Sequence, residues 1–264
     1  MYDGDVSAAE ASTRHPLGRG LHHALLLVWL LGPRYRCNLC GFPGRRFLDD
    51  VWHPGSICPA CGSQVRHRLL AGVLATDAVL SLAGLVRDRR VLHFAPEAPL
   101  VRLFRRAART YLTADLSGSG VDLELNIADM TTVQDNSMDL VVACDVLEHV
   151  PRDREAMREV RRVLAPGGWA IFTVPQCGAH EVTLEVPGVT DPRERERLYG
   201  QLDHVRMYGN DFGQRLADVG FQFQVRRAAD LPPTLVQKHV LVPPVPSLHP
   251  LACNDRRVYF AQRA

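Results

Sequence analysis

Met138-Asp139-Leu140-Val141-Val142-Ala143-Cys144-Asp145, running on into Val146-Leu147-Glu148-His149-Val150, decides the fold of this chain. Leu140 to Cys144 is apolar without a break, the pattern of a strand buried on both faces. Asp145 ends it. A helical pattern from about Arg152 to Leu164 follows, closed by Ala165-Pro166-Gly167-Gly168, and Trp169 to Val174 reads as the next strand. Upstream, Val91 to Phe94, Tyr111 to Ala114 and Leu123 to Ile127 are strands, and Pro99 to Arg109 is a basic amphipathic helix. Downstream, a helix at 211–218 and strands at 221–225 and 257–261 complete the series. Strands alternating with helices predict an α/β domain over 91–264, a doubly wound, mostly parallel sheet covered on both faces. A Pro/Gly-punctuated insertion spans about 176–210.

Before this domain come two Cys-x-x-Cys knuckles. Cys37-Asn38-Leu39-Cys40-Gly41 is separated by seventeen residues from Cys58-Pro59-Ala60-Cys61-Gly62. Two close thiolate pairs at this distance suit a tetrahedral structural zinc ion held by Cys37, Cys40, Cys58 and Cys61, with two disulfides or unrelated thiols as the alternative. Four sulfurs close the shell and leave no position for substrate. The chain therefore divides into 1–33 (a tail and a short apolar helix), a zinc ribbon over 34–62, a connecting helix over 63–90 capped at Ser63, and the α/β domain. The apolar segment Leu21–Leu31 falls short of the roughly 20 residues a bilayer span requires and is expected to pack on the protein, with an interfacial anchor as its alternative.

With 264 residues, 46% hydrophobic and 23% charged, the chain is long enough for one sizeable domain and a small module. Its net charge of +2 argues against a broad cationic face for nucleic acid, and membrane contact is not favoured. Of its 31 basic residues only Lys238 is lysine, a compositional bias and not a binding signal. Cys144, Cys177 and Cys253 show no pairing pattern, which suits a reducing cytoplasm.

Three predicted strands end in acids: Asp115, Asp129 and Asp145. Ligands of an open parallel sheet sit beyond such ends, and Asp115 lies twenty-one residues after Phe94, the spacing at which a second-strand carboxylate accepts from ribose hydroxyls. A single strand-end Asp is more often a turn cap; three in succession point to a site.

From Val91 to Ala264 the chain resembles the class I S-adenosylmethionine-dependent methyltransferases, a Rossmann-like fold. The residues that carry the resemblance are Tyr111–Asp115, Ile127–Met130, Asp145–Val150 and Leu164–Gly168. Arg66-His67-Arg68, His93–Glu97 and Gly200–Gly209 resemble a bacterial subgroup with an N-terminal zinc ribbon. The resemblance implies S-adenosylmethionine as cofactor, with Asp115 at the ribose and Asp129 near the adenine. It implies a donor site drawn from Phe94, Ala95, Glu97, Asp115, Leu116, Asp129, Met130 and Asp145. The first loop, His93-Phe94-Ala95-Pro96-Glu97, lacks the glycines usual there. Glu97 reads either as a partner for the donor's ammonium or as a first-turn helix charge.

On the acceptor side, His204 is the first candidate base and His149 the second, with Arg206 and Tyr208 as candidate substrate contacts. The expected acceptor is a small molecule, a sugar or specialised metabolite of a bacterial biosynthetic pathway. An RNA methyltransferase, a non-catalytic binding module and a non-methylating use of the cofactor are the rivals. Arg66, His67 and Arg68 read either as an anion contact or as a basic face, solvated or paired with acids of 185–203.

Overall fold

The computed structural model describes residues 24–264. Its main sheet has seven strands in the order β5-β4-β3-β6-β7-β9-β8. These are β3 (Arg90–Phe94), β4 (Thr110–Asp115), β5 (Leu123–Glu124), β6 (Met138–Cys144), β7 (Leu164–Thr173), β8 (Phe221–Arg227) and β9 (Arg257–Arg263). β9 alone runs antiparallel to its neighbours β7 and β8. The expected α/β, mostly parallel architecture is therefore present.

The strands alternate in the way a sheet buried on both faces requires. Leu92, Phe94, Val141 and Ala143 point into one core with α5 (Asp153–Val163) and α7 (Phe212–Asp218). Val91, Leu140 and Val142 point into the other, against α2 (Val65–Thr76) and α4 (Ala98–Ala107). Each fully buried aliphatic side chain here contributes about 1.5–3 kcal/mol of burial free energy.

The connecting helix expected over 63–90 is broken. Its N-cap is Gln64, not Ser63: His67 Nδ1 accepts the Gln64 N–H at 3.0 Å in a capping box. Asp77 ends it, because its carboxylate takes the amides of Val79 and Leu80 at 2.9 Å each. Competition of this kind is why Asp favours turns over helix interiors. A short helix α3 (Leu82–Leu85) restarts behind Ser81. The third strand is also shorter than expected, two residues rather than five.

Helix α1 (residues 24–30) is not packed on the protein as expected. Val28 and Trp29 are each 63% exposed and only Leu30 is buried. Leu21, His22 and His23 of that apolar segment lie outside the described residues, and no described helix is long and apolar enough to cross a membrane.

The ribbon consists of β1 (Leu31–Arg36), β2 (Pro43–Gly44) and a bridge between Leu48 and Ile57. Arg68 fastens it to the domain. Its fully buried guanidinium lies 4.9 Å from the Phe47 ring centre and donates to Ser63 O, to Ser56 O at 2.8 Å and to Val240 O at 2.9 Å. Val240 follows α8 (Pro233–His239) in the left-handed region (φ 52°), an outlier for a β-branched residue. The stretch 228–255, whose role the sequence leaves open, thus clamps the ribbon. Arg68→Ala is expected to cost about 3 kcal/mol or more, since each buried carbonyl left unmatched costs about 1–3 kcal/mol. Urea denaturation would measure it; a loss below about 1 kcal/mol would mean that water serves the three carbonyls equally well.

Candidate functional site

Pairing of Phe94 with Ala114 and Ala143, and of Cys144 with Thr173, brings the carboxyl ends of β3, β4, β6 and β7 side by side. A cleft of about 870 Å³ opens beyond β6 and β7. The ribbon forms one wall through Asp50, Trp52 and His53, and the segment before β9 forms another through Leu251 and Arg256. Trp52 stacks on His249 with ring centres 4.5 Å apart. Gly200 caps α6 (Pro192–Tyr199) at φ 89°, and a Cβ there would lie 2.6 Å from the Trp52 ring. Glycine is therefore required twice over, by backbone conformation and by space.

Chain neighbours change sides at β3, which pairs with β4 on one edge and β6 on the other, the switch point where open sheets bind ligands. A charge network occupies it. Arg66, from the first turn of α2, donates to Glu97 and reaches Asp145 at 3.2 Å. Asp145 also accepts from Arg256 at 2.6 Å and from Thr173 Oγ1 at 2.8 Å. Burial opposes ionisation of Asp145, yet Arg256 and Arg66 hold its carboxyl well below the usual range. Glu97 is likewise held low against its burial, by His67, whose Nε2 lies 2.7 Å away, and by Arg66. Neither Arg66 nor His67 is the solvated basic face that the sequence allows, and their partners are Glu97 and Asp145 rather than acids of 185–203. Glu97 already has two partners of its own, the Arg66 cation and the His67 ring nitrogen.

Beside this network, Glu148 lines the cleft from the short 3-10 turn Leu147–His149. It is 1% exposed, and neither carboxylate oxygen has a hydrogen-bond partner among the described residues. Burial, reinforced by the Asp145 charge, pushes its pKa well above the ordinary range. His204 is 2% exposed; its Nδ1–H donates to Tyr199 O at 3.0 Å, so the unpartnered Nε2 carries the lone pair. Burial lowers its pKa, leaving the ring neutral near pH 7. His149 stands edge-on to it with ring centres 4.7 Å apart, its Nδ1 3.2 Å from Asp203. Both candidate bases are thus brought together, with Glu148 as a third member that the sequence reading missed. Nothing in the sequence marks Glu148 as unpartnered, and Arg256, more than a hundred residues after Asp145, was missed for the same reason.

Of the expected donor-side residues only Asp145 lines the cleft; the others lie outside it. Asp115 ends β4 half-buried, one oxygen accepting the Ser117 N–H at 3.1 Å. Asp129 is exposed in a shallow groove with Thr131 and Glu155, and Leu116 is 70% exposed. Phe94 and Met130 are core residues, 2% and 0% exposed, so their side chains do not meet a ligand as expected. In the glycine-free loop, Ala95 itself enters the left-handed region at φ 44° with its N–H on Ala114 O. The tight turn is kept at a strain of about 1 kcal/mol.

Arg206 and Tyr208 are a correction to the expected substrate contacts. Arg206 is 1% exposed, its guanidinium spent on Leu147 O, Pro151 O and Glu185 at 2.8–2.9 Å. Tyr208 is fully buried and donates to Asp153 at 2.9 Å. They brace the loop that carries Glu148 and His149, and neither lines the cleft. At the ribbon, the four cysteine sulfurs lie within 4.8 Å of one another, with Cys37–Cys61 and Cys40–Cys58 at 3.7 Å. That is too long for a disulfide and close to the roughly 3.8 Å spacing of sulfurs on a tetrahedral ion with 2.3 Å bonds.

Residues 78–172, which include β3 to β6 and most of β7, match the family model described as a methyltransferase domain. The chain contains a methyltransferase domain. A ubiquinone biosynthesis O-methyltransferase of Thiobacillus denitrificans is 29% identical over 129 residues, 48% of this chain and 47% of that protein. An uncharacterized methyltransferase of Mycobacteroides abscessus is 29% identical over 160 residues, 58% of this chain and 54% of that one. The chain thus spans about half the length of the curated relatives it matches. A solved S-adenosylmethionine-dependent methyltransferase from Mesorhizobium loti superposes with a TM-score of 0.48 at 18% identity, covering 74% of this chain and all of that one. The matched methyltransferase domain contains the 3-10 turn that carries Glu148 and His149, whereas His204, Arg256 and the ribbon lie outside it.

Proposed function

We propose that the protein transfers the methyl group of S-adenosylmethionine to a small-molecule acceptor bound in the cleft between ribbon and sheet. The match of 78–172 to a methyltransferase domain carries this reading. The residues present suit the cofactor: Asp115 keeps one carboxylate oxygen for ribose hydroxyls, Asp129 is open to an adenine amino group, and Ala95 makes the close turn. When bound, the cofactor supplies an electrophilic sulfonium methyl. The chain's own residues then place the acceptor, exclude water and receive its proton on the side of Glu148, His149 and His204. The role of the ribbon is structural, with Cys37, Cys40, Cys58 and Cys61 holding zinc and Trp52 closing the cleft. A small-molecule acceptor also fits the similarity to the ubiquinone biosynthesis O-methyltransferase of Thiobacillus denitrificans.

Calorimetric titration of the zinc-loaded protein with S-adenosylmethionine and S-adenosylhomocysteine tests the reading. Micromolar binding is expected, weakened about 10–100-fold in Asp115→Ala, the loss of a charge-assisted hydrogen bond worth about 1.5–3 kcal/mol. No binding by the folded protein would end it. His204→Ala is expected to lower turnover by about 10²–10⁴ while cofactor affinity stays unchanged; a kcat near that of the parent protein would remove His204 from the chemistry.

A further inference from the structure

Glu148, His149 and His204 present one ligand atom each, all within 4.8 Å of one another, and all three line the cleft. We propose that they form a second metal site, distinct from the cysteine cluster, for a first-row divalent transition-metal ion whose open positions face the cleft.

Three observations support the assignment. First, both oxygens of Glu148 and the Nε2 of His204 are buried without a hydrogen-bond partner among the described residues, a costly state for groups with nothing to bind. Second, each imidazole has its outer nitrogen engaged. His204 Nδ1–H donates to Tyr199 O at 3.0 Å, and His149 Nδ1 faces Asp203 at 3.2 Å. Carbonyl or carboxylate acceptors behind an imidazole fix its tautomer and aim the other nitrogen, the usual arrangement of histidines that ligate metals. Third, the atoms so aimed converge, His149 Nε2 lying 4.0 Å from Glu148 Oε1. Closing on an ion at about 2.0–2.2 Å from each donor requires side-chain movements of about an ångström.

Two imidazoles and one carboxylate suit Zn²⁺, Fe²⁺, Mn²⁺ or Co²⁺ with positions left for other ligands, and not the all-oxygen shell of Ca²⁺ or Mg²⁺. Those positions open on the cleft, so the class of molecule held there is one that offers oxygen donors, such as a hydroxyl beside a carbonyl or a second hydroxyl. This last step rests on the methyl-transfer reading, with His204 then a ligand in place of a base: the ion would lower the pKa of a bound acceptor hydroxyl, its proton would pass to solvent, and its oxygen would attack the methyl carbon as the C–S bond breaks and S-adenosylhomocysteine leaves. Binding of the ion itself does not rest on that reading.

The test is titration of the full-length, zinc-loaded protein with Co²⁺, followed by absorption spectroscopy and by metal analysis after gel filtration. One cobalt per chain is expected, with d–d bands and no thiolate charge transfer, alongside one retained zinc. Glu148→Gln and His204→Gln should each weaken that cobalt at least about 100-fold, and Asp203→Asn about 10-fold, while near-UV dichroism and ribbon zinc are unchanged. Glu148→Gln keeps the side-chain shape, so its loss of cobalt reports ligation and not misfolding. The proposal is overturned if the parent protein takes no cobalt, if the cobalt band shows thiolate ligation, or if the folded variants bind it as the parent does. Cofactor titration on the same samples is independent: loss of cobalt with intact cofactor binding bears on the metal site alone, and the converse bears on methyl transfer alone.

Discussion

Stripping zinc with a strong chelator, or replacing Cys58 with Ser, is expected to unfold the ribbon and lower the thermal stability of the whole chain. Cys37 and Cys58 are almost completely buried, and the small cluster around them holds Phe47 and Val240 as its other buried members, with Tyr35, Leu39, Phe42 and Cys61 partly buried against it. So few apolar side chains cannot offset the backbone entropy of some thirty residues at about 1–2 kcal/mol each. A structural zinc ion contributes an apparent 10–16 kcal/mol or so, and that binding energy is folding energy here. The effect reaches the sheet because Arg68 ties Ser56 of the ribbon, and Ser63 just after it, to Val240. It reaches the cleft because Trp52 is one of its walls. Differential scanning calorimetry with and without chelator, with tryptophan fluorescence as second readout, measures both. An unchanged melting curve in the metal-free protein would mean that the ribbon stands without its ion.

Asp145→Ala is expected to destabilise the protein by about 3–5 kcal/mol, the usual cost of removing one partner from a buried ion pair. Arg66 and Arg256 would be left close together at the switch point with no anion between them beyond Glu97. Asp145→Asn should cost less, because an amide still accepts from Arg256 while the charge is lost. The pH dependence follows from the direction of the shifts. Asp145 and Glu97 both ionise more readily in the folded protein than in the unfolded chain. Their contribution is complete above the unfolded carboxylate values of about 3.9–4.3 and is lost as the pH falls through the depressed folded values. Denaturant midpoints of parent and Asp145→Asn should therefore differ most near neutrality and converge as the pH falls below about 4. A gap that persists undiminished at the acid end would show that packing, and not charge, is what Asp145 provides.

Much of this was legible in the sequence, for reasons that are local. Leu140–Cys144 could only be a strand buried on both faces, and the helix after it repeats at helical spacing. Two knuckles, each with a glycine at positive φ (Gly41 at 79°, Gly62 at 70°), announce one four-cysteine cluster. The placement of Asp115 and Asp145 at or just beyond strand ends follows from the same periodicities, whereas Asp129 lies five residues past the shortened β5. Where reading failed, a short-range competitor or a distant partner decided. Asp77 broke the connecting helix by capping its own turn.

Arg66 and Arg206 look alike in sequence, each a basic residue within two positions of a histidine, yet one holds the switch point and the other braces a loop. Tyr208 seemed a substrate contact and is a core residue. What the sequence determined by itself was the order of strands and helices, the four-cysteine cluster and the chemical class of the domain, because each depends on residues near one another in the chain. The tertiary structure alone decided that Arg256 neutralises Asp145, that Trp52 of the ribbon walls the cleft, and that Glu148 sits near His204 with no hydrogen-bond partner among the described residues. Those outcomes depend on which side chains are desolvated together, and desolvation is set by packing between segments a hundred residues apart.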